Sequence, residues 1–332
     1  MKTALVISGG GSKGAFAAGA VKYLYETYCR DGWFDIVGGT STGSLITPLA
    51  GLFKEPALAG EALSDLERLY TTITTRDILD KRSIFTLLFK PDALNGSAPL
   101  ELLIETYLTA QRFEYLRDPR APETYVVYTN FRTGREVFVS PREPGVDLAG
   151  FRRALLASCS VPVYMESTRI GGDACYDGGV SEILPLRRAV FLGAERLLSI
   201  RLDPPVPADD TGPLSRIDQV LLRTFAIMLN AGLTSDIERT RLINDAVLAK
   251  DDLRGLFADD PVVLEKIDRA LERHPDLFGS HRRLVDLDMD IYPDRPLTGD
   301  ALIFEPAVMK RWFREGYDKA RAVVTRSPFR DD

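Results

Sequence analysis

The chain has only two histidines, His274 and His281, and three cysteines, Cys29, Cys159 and Cys175, in 332 residues. With no His, Cys and carboxylate cluster at ligand spacing, no metal is expected, and no cofactor either. An odd number of widely spaced cysteines does not make a disulfide framework and fits a reducing compartment. No stretch approaches the ~20 apolar residues of a membrane span. At the N-terminus only Ala4 to Ile7 are continuously apolar, short of a signal-peptide core of about 7 residues or more. The expected location is therefore cytoplasmic, with any membrane contact peripheral. An excess of positive charge is also missing. The 42 basic residues face 48 acidic ones, a net charge of -6, so there is no global electrostatic footprint for nucleic acid. The oligomeric state leaves no signature.

What is present is 45% apolar content, enough for one large core. Ala4 to Ile7 form a short apolar run, closed by the glycine-rich Ser8 to Gly14, after which Ala17, Val21, Leu24 and Tyr28 recur at helical spacing. A second apolar run, Trp33 to Val37, is closed by Gly38-Gly39, and Leu45, Leu49 and Leu52 continue on a helical face interrupted by Pro48, which predicts a kink. Strand, tight turn, helix, occurring twice within 52 residues, predicts an α/β protein with a parallel sheet.

Residues 57 to 118 read as helical, most clearly where Leu100, Leu103, Ile104, Tyr107 and Leu108 share a face. Tyr125 to Thr129 and Arg135 to Val139 are β-rich and predict a hairpin around Thr133-Gly134. A helix over Phe151 to Ser158 ends at Val161-Pro162, and Glu195 to Leu202 reads as a buried strand. Pro204, Pro205, Pro207 and Gly212 mark a linker, and a charged, helix-like stretch fills 215–285. Met289 to Tyr292 predicts a late strand, and Met309, Trp312, Phe313, Gly316 and Ala320 a closing helix. The expected organisation is a core over 1–202, a helical insertion or cap over 203–287, and a strand and helix over 288–326 that complete the domain.

Three short motifs could carry chemistry. Gly39-Thr40-Ser41-Thr42-Gly43 follows an apolar run and precedes a helical pattern. This is the setting of a nucleophile elbow, where a sharp turn needs glycines on both sides of the serine and the following helix aims its amides at developing charge. Gly9-Gly10-Gly11-Ser12-Lys13-Gly14 leaves amides approachable, which suits an oxyanion as well as a phosphate. The spacing GxGxxG occurs in it, but a dinucleotide fold wants an acidic residue where the second strand ends, and here that strand ends in the serine turn. The third, Asp173-Ala174-Cys175-Tyr176-Asp177-Gly178-Gly179, follows Ala157-Ser158-Cys159-Ser160-Val161-Pro162. It reads as a turn that could bring a carboxylate close to a hydroxyl.

In order and approximate spacing, these four segments resemble the patatin-like lipid acyl hydrolases. The resemblance spans roughly residues 1 to 202 and implies a three-layer α/β/α fold with a mainly parallel central sheet, beside a helical C-terminal region. It implies Ser41 as nucleophile and Asp177 as base. It also implies an oxyanion hole in Gly9, Gly10, Gly11, Lys13 and Gly14, an elbow formed with Gly39, Thr40, Thr42 and Gly43, and the Asp-Gly-Gly turn of Gly178 and Gly179. Cys159 stands where such proteins usually carry a smaller residue. The implied activity is cleavage of lipid or phospholipid esters through an acyl-enzyme.

Two alternatives stay open. Ser41, Asp177 and either histidine follow the Ser, Asp, His order of α/β-hydrolases, although an elbow preceded by a single strand-helix unit favours the patatin-like arrangement. A non-catalytic lipid-binding protein of the same fold is the other. Lys81 to Lys90, an apolar run bracketed by cations, suits contact with a membrane surface or an acyl groove and is expected near the site.

Overall fold

A computed structural model describes residues 1–82, 93–205, 217–274, 286–298 and 300–329. The first strand, β1 (Thr3–Ile7), is buried throughout and leads through a glycine turn into α1 (Gly14–Tyr28). Strand β2 (Ile36–Thr40) leads into α2 (Thr42–Gly51) across one residue, Ser41. The apolar run of Trp33 to Val37 thus begins before the strand, and Gly38 and Gly39 lie inside it instead of closing it. The reason is packing: a Cβ on Gly38 would stand 2.0 Å from Cζ of Tyr125, so that position in the strand excludes any side chain. Pro48 lies inside α2, which runs on to Gly51.

The stretch expected as helical over 57–118 is broken. It holds α3 (Pro56–Thr71), a two-residue antiparallel pair β3 (Asp80–Lys81) and β4 (Asn95–Gly96), then α4 (Ala98–Tyr107) and α5 (Ala110–Arg117). Strands this short carry no alternation that a pattern could register. Of Lys81 to Lys90, residues 83–90 lie outside the described residues, as do Pro207, Gly212 and His281.

The hairpin is present as β5 (Glu123–Asn130) and β6 (Arg135–Val139), followed by α6 (Leu148–Cys159). A second hairpin, which the sequence reading did not predict, joins β7 (Thr168–Ile170) to β8 (Asp173–Asp177), so the first five residues of the Asp173 to Gly179 segment form a strand ahead of its turn. Gly171 and Gly172 between them have φ of 59° and 88°, the two positive values that a tight two-residue hairpin loop demands. Then come α7 (Leu186–Phe191), β9 (Arg196–Ile200), α8 (Ile217–Leu256), α9 (Pro261–Leu271), β10 (Asp286–Ile291) and α10 (Pro306–Val323).

Among the described residues eight strands form one mixed sheet in the order β10-β9-β1-β2-β5-β8-β7, with β6 also on β5. From β10 to β5 all neighbours are parallel, and β6, β7 and β8 enter antiparallel. Alternation along β1 separates two cores. Leu5 and Ile7 pack with α1, α2, α3, α6 and α10, while Ala4 and Val6 pack with Leu186 and Ala189 of α7 and Leu233 and Ile237 of α8. Helices therefore cover both faces of the sheet, which is the three-layer arrangement. In such sheets ligands sit beyond the carboxyl ends of the parallel strands, and Ser8, Ser41 and Arg201 are the first residues past three of those ends.

Candidate active site

Ser41 links β2 to α2 at φ 53° and ψ -122°, a conformation that costs a non-glycine residue about 1–3 kcal/mol. The strain persists because the surrounding contacts leave no alternative. A Cβ on Gly39 would lie 2.4 Å from the carbonyl carbon of Gly43, and one on Gly43 would lie 2.4 Å from the carbonyl oxygen of Ile7. The elbow is also pinned by hydrogen bonds. The Ser41 amide donates to Oγ of Ser158 (3.0 Å), and its carbonyl accepts from the hydroxyl of Ser44 (2.6 Å) and the thiol of Cys159 (3.3 Å). From the opposite side the Tyr70 hydroxyl donates to the Thr42 carbonyl at 2.9 Å and meets the Thr42 hydroxyl at 2.7 Å. Burial pushes the Tyr70 phenol up, so it stays a donor.

Strand register brings Asp177 to this point. β6 covers Val126 to Asn130 along one edge of β5, so β2 and β8 must share the other. On that edge Thr40, the last residue of β2, pairs with Val127, and Asp177, the last residue of β8, pairs with Tyr128. The two strands run toward each other and stop end to end, leaving Ser41 and Asp177 side by side. The Ser41 hydroxyl lies beside the Asp177 carboxylate and favours its charged form, and the carboxylate accepts the Gly179 amide at 2.7 Å. Only 7% of Ser41 and 2% of Asp177 are exposed. Burial raises the Asp177 pKa to about 7, against the lowering effect of the Ser41 and Gly179 hydrogen bonds.

The Ala157 to Pro162 segment braces both residues. Ser158 and Cys159 hold the elbow from the last turn of α6, and the Ser160 carbonyl accepts the Asp177 amide at 2.8 Å. The motif is thus a strut between hydroxyl and carboxylate. Burial pushes the Cys159 thiol up, which keeps it protonated and inert.

The glycine loop lies alongside. A Cβ on Gly9 would come within 3.1 Å of Ser41 Cβ. The amides of Gly9, Ser12 and Lys13 donate to the carbonyls of Ile183 (3.2 Å), Ala301 (2.7 Å) and Gly10 (3.3 Å), and that of Gly14 to Gly11 and Ser12. The Lys13 side chain is ion-paired to Asp203 at 2.6 Å. Among the described residues no acceptor takes the amides of Gly10 or Gly11. Gly11 and Ser41 together line a cleft of about 500 Å³ whose other walls are mainly apolar, among them Leu45, Leu69, Met165, Leu302 and Phe304.

Ile183, Ala301, Leu302 and Phe304 adjoin this site and carried no sequence signal, because each acts through a backbone carbonyl or a generic apolar surface, and nothing local marks Tyr70 as the tyrosine whose hydroxyl reaches Thr42. His274 is exposed just past α9. Among the described residues no three His, Cys, Asp or Glu side chains gather to hold a metal ion, and no helix is long and apolar enough to cross a membrane.

Comparison with known proteins gives two positive findings. Residues 5–190 match the Patatin-like phospholipase family. Among solved structures the chain is similar to VipD from Legionella pneumophila, at 14% identity and a TM-score of 0.42, over 97% of this chain and 66% of that one. No curated protein matches.

Proposed function

Because the chain belongs to the patatin-like phospholipase family, we propose that it is a serine lipid acyl hydrolase working through a dyad of Ser41 and Asp177. The observation that carries this reading is a Ser41 hydroxyl set beside a buried carboxylate by the end-to-end meeting of β2 and β8, with burial pushing that carboxylate up to about 7. An ordinary aspartate, with a pKa near 3.9, is too weak a base to take a hydroxyl proton. Desolvation makes Asp177 a stronger one near neutral pH and holds it at the oxygen it must deprotonate.

In the proposed cycle Asp177 accepts the Ser41 proton as Oγ attacks the ester carbonyl of a lipid or phospholipid. The negative charge that develops on the carbonyl oxygen is met by the amides of Gly10 and Gly11, where losing one donor typically costs about 2.7–4 kcal/mol. Collapse of the tetrahedral species expels the alcohol, which takes the proton from Asp177, and leaves the acyl group on Ser41. Water then enters, gives a proton to Asp177 and releases the fatty acid by the reverse sequence. The apolar walls of the cleft suit an acyl chain. No metal enters any step.

The test is labelling with a fluorophosphonate probe followed by a lipid-panel hydrolysis assay. Wild-type protein should form a covalent adduct and release fatty acid, and folded Ser41→Ala should do neither. A wild-type protein that neither labels nor hydrolyses would leave the non-catalytic reading. The triad reading has less support, since Asp177 contacts Ser41 directly and His274 is exposed. Replacing His274 and His281 together by alanine should leave acylation intact, and its loss in a folded variant would restore the triad.

A further inference from the structure

Tyr70 is buried near the end of α3, and no step of the proposed cycle uses it. Its hydroxyl meets one residue twice, at the carbonyl of Thr42 (2.9 Å) and at the hydroxyl of Thr42 (2.7 Å). A phenol has one proton to give, and a carbonyl can only accept. Both contacts are satisfied together in one way: Tyr70 donates to the carbonyl, and the Thr42 hydroxyl donates to Tyr70. Main chain and side chain of Thr42 are thus held by the same oxygen, and Thr42 is the residue that follows the nucleophile.

The same pair touches the glycine loop. A Cβ on Gly14, where that loop passes into α1, would stand 2.1 Å from Oγ1 of Thr42 and 2.6 Å from Cε1 of Tyr70. Beside the sheet the two turns meet directly, since Gly43 sits against the carbonyls of Ile7 and Ser8. The spacing between elbow and glycine loop therefore has two supports. One is backbone against backbone, and the other is Thr42 and Tyr70 wedged against Gly14. Tyr70 also lines the cleft that Gly11 and Ser41 share, so it borders the space in which a reacting carbonyl would sit.

From this geometry we infer that Tyr70 is a positioning residue: acting through Thr42, it sets the distance and angle between the Ser41 hydroxyl and the amides of Gly10 and Gly11. The inference rests on the acyl hydrolase reading, and its test separates the two. A residue with this task matters only where charge builds on the carbonyl oxygen. Acylation and deacylation both build charge on that one atom. Loss of the Tyr70 hydroxyl therefore slows both steps alike and, with substrate binding unaltered, leaves KM unchanged.

The test compares wild type, Tyr70→Phe, Thr42→Val and the double variant on p-nitrophenyl butanoate, with Tyr28→Phe as control. Tyr28 would lose an equivalent bond, from its hydroxyl to the Val324 carbonyl at 2.8 Å, at the opposite end of α1 from Gly14. In Tyr70→Phe kcat should fall about tenfold or more at unchanged KM, and in Tyr28→Phe it should keep the wild-type value. Binding of a trifluoromethyl ketone, which forms a hemiketal oxyanion on the serine, should weaken by the same factor as kcat, while binding of the matching alcohol should not change. Thr42→Val removes one of the two bonds and should slow kcat by a smaller factor, and the double variant should be no slower than Tyr70→Phe alone. If Tyr70→Phe does not fold, Thr42→Val carries the same kcat and ketone measurements.

An unchanged kcat in Tyr70→Phe, equal slowing in Tyr28→Phe, a rise in KM that accounts for the loss, or a double variant slowed by the product of the two single effects would overturn the inference and leave the hydrolase reading intact. A wild-type protein that neither hydrolyses the ester nor binds the ketone more tightly than Ser41→Ala would end both.

Discussion

The elbow at Ser41 and the helices α8 and α9 are built by opposite means. At the elbow a strained φ is locked by two glycines with backbone oxygen or carbon where a side chain would stand, by hydrogen bonds donated from Ser44 and Cys159, and by the Ser41 amide's bond to Ser158. Along α8 and α9 little is locked. α9 buries no residue, and Ile227, Met228, Leu242, Leu256 and Val262 are exposed. An ion pair between Arg254 and Asp268 joins the two helices, and exposed pairs of this kind contribute about 0–1 kcal/mol. Close packing dictates residue type in the first region and tolerates many in the second. The proposed chemistry, which depends on placing two oxygens together, falls where tolerance is lowest.

The largest effect that should follow is at the carboxylate. Asp177→Asn is expected to lower kcat about 10³-fold while leaving the fold intact. The same change should remove a pH dependence of stability. Burial raises Asp177 from 3.8 to about 7, so the folded state holds its proton more tightly than the unfolded one. The carboxyl therefore costs no stability below its unfolded pKa, becomes destabilising as pH rises through the interval up to about 7, and stays so above it. Thermal melts at pH 8 should favour the asparagine variant over wild type, and melts at pH 3.5 should narrow the gap. A gap equal at both pH values would break the argument.

Gly43→Ala comes next. Its methyl would collide with backbone oxygens of Ile7 and Ser8, and denaturant unfolding should register a loss of about 3 kcal/mol. An unchanged midpoint would mean the elbow is less constrained than its geometry implies. A smaller effect is carried by proton concentration alone. Acylation should fall tenfold for each unit below about 7, where Asp177 becomes protonated and stops accepting, and a profile flat from pH 5 to pH 8 would remove the base. The smallest contrast inverts the sign of the glycine experiment. Gly255 in α8 has nothing within 4 Å of an added Cβ, so Gly255→Ala should stabilise by about 0.5 kcal/mol, measured by the same unfolding assay.

That contrast also explains what was legible in the amino-acid order. The elbow, the glycine loop and the Asp-Gly-Gly turn stood out because packing leaves so few residue types possible at those positions. The short apolar runs of β1 and β9 and the amphipathic α10 likewise declared the strands and helix they became. The β7–β8 hairpin did not, since its five-residue strand Asp173–Asp177 mixes acidic, small and aromatic residues and its partner Thr168–Ile170 is only three residues long. Nor did the contribution of Ala301, Leu302 and Phe304 to the cleft. A carbonyl is the same in every residue, and no local pattern tells which distant one will accept the Ser12 amide. The convergence of Ser41 and Asp177 could be read only as a resemblance. Its physical cause, two strands meeting on one edge of β5, is a matter of register between segments far apart in the chain.

The Ser12 amide, held by the Ala301 carbonyl, carries a consequence for biogenesis. In chain order the glycine turn comes long before its clasp, and α1 likewise waits for α10, with the Tyr28 hydroxyl reaching the Val324 carbonyl at 2.8 Å. Contacts between such distant segments form late, because the intervening chain must first be ordered. A nascent polypeptide therefore lacks a clasped glycine turn until translation has passed Ala301, and the proposed cradle for a carbonyl oxygen is complete only then.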